Sequence, residues 1–193
     1  MSPEALLHFN RDGSSVEMIG AEHSPGMETT TGSLAQGLSV AAGVAWARKR
    51  RGDPGRVWVY LSDGELQEGQ TWEAFAACVH HRIDNLRIVM DVNGQQCDGA
   101  MDSVLALPGM AQRIASFGLT TLDVDGHDLQ QLSAAMHTLP TGGPLFILAR
   151  TCPYQGMPPL RARYPRLHYV RFSSAAERDE LTTTIGRALG VRP

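Results

Sequence analysis

The sequence predicts an α/β protein, a parallel sheet flanked by helices in three layers. Two observations lead there. Four short apolar runs at residues 57–61, 86–90, 119–124 and 145–149 read as strands. Helix-forming stretches separate them, and a strand–helix–strand order joins parallel strands through right-handed crossovers. At 193 residues the chain has the size of one domain with a real core.

Composition narrows the function. With 42% hydrophobic and 19% charged residues the chain sits near the average for soluble globular proteins. A net charge of -3 gives no reason to expect nucleic acid or an anionic membrane as a partner. Lys49 is the only lysine, so the basic residues are otherwise arginines. The three cysteines, Cys78, Cys97 and Cys152, lie far apart without metal-type pairing, which suggests reduced thiols. No signal peptide is read at the start and no apolar run reaches ~18 residues, so a cytoplasmic location is expected.

Residues 1–24 have no clear period and read as an irregular arm, with a short helix over residues 3–9. A polar, glycine-punctuated loop, PGMETTTGSLAQG, then leads into a helix over residues 34–50. Its basic end, Arg48-Lys49-Arg50, suits the carboxyl pole of a helix. Small and apolar residues on most of its faces place it in the core or against another subunit. Residues 102–117 read as loop and helix. Gly126-His127-Asp128 caps a helix over residues 129–139, and residues 25–150 form the α/β core. Beyond Thr151 the pattern breaks into a proline-rich segment, followed by a final helix over residues 174–189 capped by Ser174. Residues 1–193 are thus expected to be one domain.

The centre of the chain is residues 61–99, LSDGELQEGQTWEAFAACVHHRIDNLRIVMDVNGQQCDG. It reads as strand, turn, helix to about Arg82, strand, turn. Asp63 and Asn93 close the two strands 30 residues apart, the length of one βαβ unit. Both turns then fall on the carboxyl edge of the sheet, where open α/β sheets bind ligands. A carboxylate and an amide oxygen there suit a small hard cation such as Mg2+, completed by substrate phosphates and water. Taken alone, the pattern also fits two ordinary strand-ending turns.

Resemblance decides between the two. SDG, about thirty residues, then VNG resembles the thiamine-diphosphate signature of transketolases and 2-oxoacid dehydrogenases. The phrase SDGELQEGQTWEAFAAC resembles the amino-terminal half of split transketolases. PGMETTTGSLAQGLSVAAGVAWA upstream, and NGQQCDG and DVDGHD downstream, extend the match over residues 25–150.

The resemblance implies specific roles. Asp63, Asn93 and the main-chain carbonyl of Gln95 would ligate Mg2+. Ser62, Asp63, Gly64 and Glu65 would lie beside the diphosphate, with Ser62 in place of the family glycine. Main-chain groups of Gly32, Ser33 and Leu34 would hold the aminopyrimidine, with Ser33 in place of the usual proline. Cys97 would pack near the cofactor. Glu68, and with less weight Glu73, would lie on the helix after Gly64 at the subunit junction. As residues alone, the two glutamates read as a solvated acidic face. His80 and His81 read as favouring the carboxyl pole of the same helix.

Departures point to specialisation. The family's Lys-Gly-His segment is absent. Where it has Gly-His-Pro, this chain has Ile19-Gly20-Ala21-Glu22, and His23 stands in another register. The family's late histidine maps onto His168. Cofactor binding by thiamine diphosphate and Mg2+ is therefore expected. The expected protein is one subunit of a two-polypeptide enzyme whose partner carries the pyrimidine-binding domain, as a heterotetramer. Its reaction would be transfer of a two-carbon ketol unit from a ketose phosphate. The alternatives are two-carbon transfer onto a lipoyl or carrier-protein arm, or a non-catalytic stabilising subunit. A nucleotide-binding module would require a Gly-x-Gly-x-x-Gly turn or a P-loop, and the sequence has neither.

Overall fold

The computed structural model describes residues 8–17 and 19–189. Four parallel strands form the sheet: β1 (Val57–Ser62), β2 (Leu86–Val92), β5 (Thr120–Asp125) and β6 (Leu145–Arg150), in the order β1-β2-β6-β5. A two-residue antiparallel pair, β3 (Gln95–Gln96) with β4 (Gly99–Ala100), stands apart. The helices are α1 (Gln36–Arg51), α2 (Gly69–His80), α3 (Met101–Leu105), α4 (Met110–Ser116), α5 (Leu129–His137) and α6 (Ala175–Leu189). Single-turn helices run over Asp63–Gln67 and Pro158–Arg163. The expected three-layer α/β fold is present.

The sequence explains both faces. β2 and β6 are buried along most of their length, as a parallel sheet covered on both sides requires. On one face Leu38, Ala41 and Ala45 of α1, Phe75 and Cys78 of α2 and Ile114 of α4 form one cluster with Ile88, Met90, Phe146 and Leu148. Phe75 is its hub, edge-on to Phe146 at 5.4 Å and to Trp72 at 5.7 Å, geometries aromatic rings prefer. On the other face Ala135 of α5 packs with Leu145 and Ile147. Trp58 and Tyr60 of β1 stay exposed.

The strand ends are tied at the carboxyl edge. The Cys152 N–H donates to His127 Nε2 at 2.7 Å, bringing the ends of β6 and β5 together. Asp128 Oδ1 accepts the N–H of Gln130 and of Gln131, capping α5 as expected. Ser174 likewise accepts the Glu177 N–H and caps α6. Arg163 pairs with Glu177, holding the proline-rich segment to that helix.

Several boundaries differ from expectation. Of the helix expected over residues 3–9, residues 3–7 lie outside the described residues, and His8 and Phe9 form a turn. The helix expected from residue 34 starts at Gln36, because Ala35 adopts a left-handed conformation (φ 69°). That helix buries only one stripe, leaving Val40, Val44 and Trp46 exposed. Residues 102–117, expected as a loop and a helix, form two short helices, α3 and α4, separated by a stretch that includes Pro108-Gly109, where Gly109 has φ 69°. Among the described residues no helix is long and apolar enough to cross a membrane.

Candidate cofactor site

β1 and β2 are neighbours in parallel register, Ser62 opposite Asp91, so the residues after each strand meet. Asp63 is fully buried, and its Oδ2 accepts the Gly94 N–H at 2.8 Å. This bond joins the two turns that the sequence places together. Asn93 Oδ1 accepts the Gln95 N–H at 3.0 Å, while its Nδ2 donates to Asp91 Oδ2 at 2.7 Å. Gly94 has φ 73°, a conformation that favours glycine, and a Cβ there would stand 3.0 Å from the Tyr164 hydroxyl, which would have to shift.

Burial pushes the Asp63 carboxyl above the ordinary range; the Gly94 N–H offsets this in part and the nearby Asp91 charge adds to it. A buried carboxylate without a cationic side chain is costly unless something positive joins it. The proposed donors, the Asp63 carboxylate, the Asn93 amide oxygen and the Gln95 main-chain carbonyl, are all oxygens, as Mg2+ prefers. No group of three His, Cys, Asp or Glu residues that could hold a metal ion occurs among the described residues. The residues fit a hard cation that borrows ligands from a diphosphate.

The turn after β1 carries a second connection. Glu65 Oε2 accepts the N–H of Ala35 at 3.1 Å, tying the turn after β1 to the loop of Gly32, Ser33 and Leu34. Burial raises the Glu65 carboxyl as well. The Thr71 hydroxyl donates to the Glu65 carbonyl and Trp72 Nε1 to the Leu66 carbonyl at 2.8 Å, holding residues 63–67 in a tight single turn. Glu68 is therefore not on the helix, a correction to the sequence reading. It stands exposed in an extended conformation (φ −94°, ψ 129°) before α2, and Glu73 is exposed on α2. Gly32 and the Gly20-Ala21 stretch are adjacent, the Thr31 N–H donating to the Gly20 carbonyl at 3.1 Å. His23 instead pairs with Glu17 at 3.2 Å.

The chain folds back to bring His168 to this edge. The Leu167 N–H donates to Oε1 of the buried Gln95 at 3.2 Å. Cys97, Asp98, Arg166, His168 and Tyr169 line a shallow, open depression of about 340 Å³ beside the β3–β4 turn. Sequence reasoning missed Glu65 as the clamp on Ala35 and Asp91 as the partner of Asn93. Asp91, two residues before Asn93 at the end of the same strand, was the available signal.

The adjoining ends of β1 and β2 bring a buried carboxylate, an amide and two glycine turns to the carboxyl edge of a parallel sheet, where open α/β sheets bind ligands. The family described as "Transketolase, thiamine diphosphate binding domain" matches residues 16–163. The chain belongs to the transketolase family. An uncharacterised transketolase family protein of Sinorhizobium fredii is 38% identical over 174 residues, covering 87% of this chain and 61% of that protein. One of the subunits of apulose-4-phosphate transketolase from Actinobacillus succinogenes is 32% identical over 147 residues, covering 76% and 53%. The chain thus spans between half and two thirds of these relatives' lengths. Transketolase from Campylobacter jejuni shares the fold, with a TM-score of 0.82, 24% identity and coverage of 98% of this chain and 30% of that one.

Proposed function

We propose that this chain is the diphosphate-binding subunit of a two-polypeptide, thiamine-diphosphate-dependent enzyme that transfers a two-carbon ketol unit from a ketose phosphate. The observation that carries the reading is the meeting of Asp63 with the Asn93-Gly94-Gln95 turn through the Asp63–Gly94 hydrogen bond. Asp63, Asn93 and the Gln95 carbonyl would hold Mg2+. Ser62, Gly64 and Glu65 would face the diphosphate, where a turn entering a helix offers N–H groups. Gly32, Ser33 and Leu34 would border the cofactor ring, and Cys97 would pack near it. Thiamine diphosphate supplies, when bound, the nucleophilic carbon that takes up and passes on the two-carbon unit.

The relative that is named as one subunit of a transketolase supports a split enzyme. In this reading the second subunit carries the pyrimidine-binding domain, and the assembly is a heterotetramer. Exposed Val40 and Val44 of α1 would contribute to that interface, and exposed Glu68 would reach across it. In this reading His168, which lines an open depression with Cys97, would touch substrate. The chain as a whole is read as one diphosphate-binding domain.

Ala21 favours a second reading of the acceptor. It stands in the loop beside Gly32, where the family has a histidine, and a methyl group moves no proton. A carrier-bound acceptor, on a lipoyl or similar arm, needs fewer polar contacts than a second sugar phosphate.

The test is reconstitution with the protein encoded beside this one, Mg2+ and thiamine diphosphate. Ketol transfer from a ketose phosphate to an aldehyde acceptor is expected, and Asp63→Ala abolishes it. Cofactor binding without transfer from any ketose phosphate would overturn the donor assignment.

A further inference from the structure

We propose that Asp91 is a positioning residue that fixes which end of the Asn93 amide faces the cation, and that Thr151 holds Asp91 for that task. The inference rests on the metal role proposed for Asn93 and extends it to residues outside the ligand set.

A carboxylate only accepts hydrogen bonds, and a main-chain N–H only donates. Asn93 meets one of each: Asp91 Oδ2 at 2.7 Å on its nitrogen and the Gln95 N–H at 3.0 Å on its oxygen. Reversing the amide would place its oxygen against the carboxylate and its NH2 against an N–H, losing both bonds. The orientation is therefore set by chemistry, and in the proposed metal role the oxygen is the atom that would meet the cation. A free asparagine has no such preference and would spend part of its time offering NH2 to a cation.

Asp91 is itself held. Its other oxygen, Oδ1, accepts the Thr151 hydroxyl from the end of β6, the strand on the far side of β2. The Thr151 N–H donates to the Val92 carbonyl at 3.1 Å, so backbone and side chain of Thr151 grip the same turn. Both carboxylate oxygens are thus engaged, one by each neighbour. The path runs Thr151, Asp91, Asn93, cation, and crosses from β6 to the β2 turn. Partners of this kind, one bond behind the ligands, orient ligands in metal sites generally.

The test uses Asp91→Asn and Thr151→Val beside wild type and Asp63→Ala, each with the partner subunit. Mg2+ is titrated in the presence of thiamine diphosphate, and the Asn93 side-chain amide is followed by nitrogen–proton NMR in the chain without metal. Asp91→Asn is expected to weaken Mg2+ binding about 10- to 100-fold. Excess Mg2+ then restores wild-type thiamine diphosphate affinity. The Asn93 amide protons, sharply shifted and slow to exchange in wild type, become ordinary in this variant. Thr151→Val moves both readouts the same way by less, and keeps the test open if Asp91→Asn folds poorly. Mg2+ affinity within about twofold of wild type for both variants, with Asp63→Ala unable to bind, would overturn the proposal while leaving the cofactor site standing, because a real second-layer partner costs more. Absence of Mg2+-dependent binding in wild type would remove the cofactor reading and this proposal with it.

Discussion

Replacing Asp63 by asparagine separates what the buried carboxylate costs from what it is for. Asp63 has 0% exposure, and burial holds its carboxyl above the usual range despite the bond from the Gly94 N–H. An acid whose pKa rises on folding binds its proton more tightly in the folded chain. Stability then falls as pH climbs from the unfolded to the folded pKa, and is recovered below. Asparagine keeps the shape and an acceptor oxygen but carries no charge. Exchanging a charged acceptor for a neutral one weakens the Gly94 bond by about 1 kcal/mol. Against this, each unit of raised pKa that disappears returns about 1.4 kcal/mol. The metal-free Asp63→Asn variant is therefore expected to be at least as stable as wild type at neutral pH, with its advantage shrinking on acidification. Urea unfolding followed by circular dichroism at pH 7.5 and pH 5 reads both terms. Mg2+ uptake in the presence of thiamine diphosphate should fall by about 100-fold or more, beyond the loss typical of a residue behind the ligands. A variant less stable by about 2 kcal/mol at both pH values would refute the reasoning, because the carboxylate would then act as a satisfied structural anion.

Other expectations follow from the same structure. Glu65→Ala leaves the buried Ala35 N–H without its acceptor and should cost about 1–3 kcal/mol in urea unfolding, whereas Glu65→Gln retains most of the stability. Phe75→Ala empties the hub of the aromatic cluster and should cost about 3–5 kcal/mol. Burial pushes the Cys78 thiol up to about 11, so iodoacetamide at pH 8 should label exposed Cys97 first and Cys78 only after unfolding, read by peptide mass spectrometry. The Asp128 carboxyl lies below its usual range, held mainly by the Gln131 N–H and then by that residue's side-chain amide and the Gln130 N–H. A lowered acid stabilises above its unfolded pKa and loses that contribution as pH falls through the folded one, so Asp128→Ala should lower the melting temperature near neutrality and less in acid.

The layered core was legible because each strand is a short apolar run closed by turn residues, as at Leu61-Ser62-Asp63 and Val92-Asn93-Gly94. The pairing of Asp63 with the Asn93 turn was legible for the same reason, since neighbouring parallel strands leave no other place for their ends. What escaped depended on contacts distant in sequence or on backbone detail. Glu68 was misplaced because the Thr71 hydroxyl and Trp72 indole draw residues 63–67 into a tight turn that helix propensity does not encode. A left-handed alanine at 35 is unfavourable intrinsically, and a carboxylate 30 residues away stabilises it. The β3–β4 pair is too short to show a period, and Thr151 reaches Asp91 across 60 residues. His168 and Cys97 line one depression across 71 residues of sequence, beside the point where the Leu167 N–H docks on Gln95.

The central claim is that the ends of β1 and β2 form half of a thiamine diphosphate site. Calorimetric titration of thiamine diphosphate with Mg2+, into this chain alone and into its mixture with the protein encoded beside it, tests that claim most directly. Binding that appears or tightens in the mixture and is lost in Asp63→Ala is the predicted result. No heat in either sample would contradict the account and leave the chain a scaffold that keeps the family's shape without its cofactor.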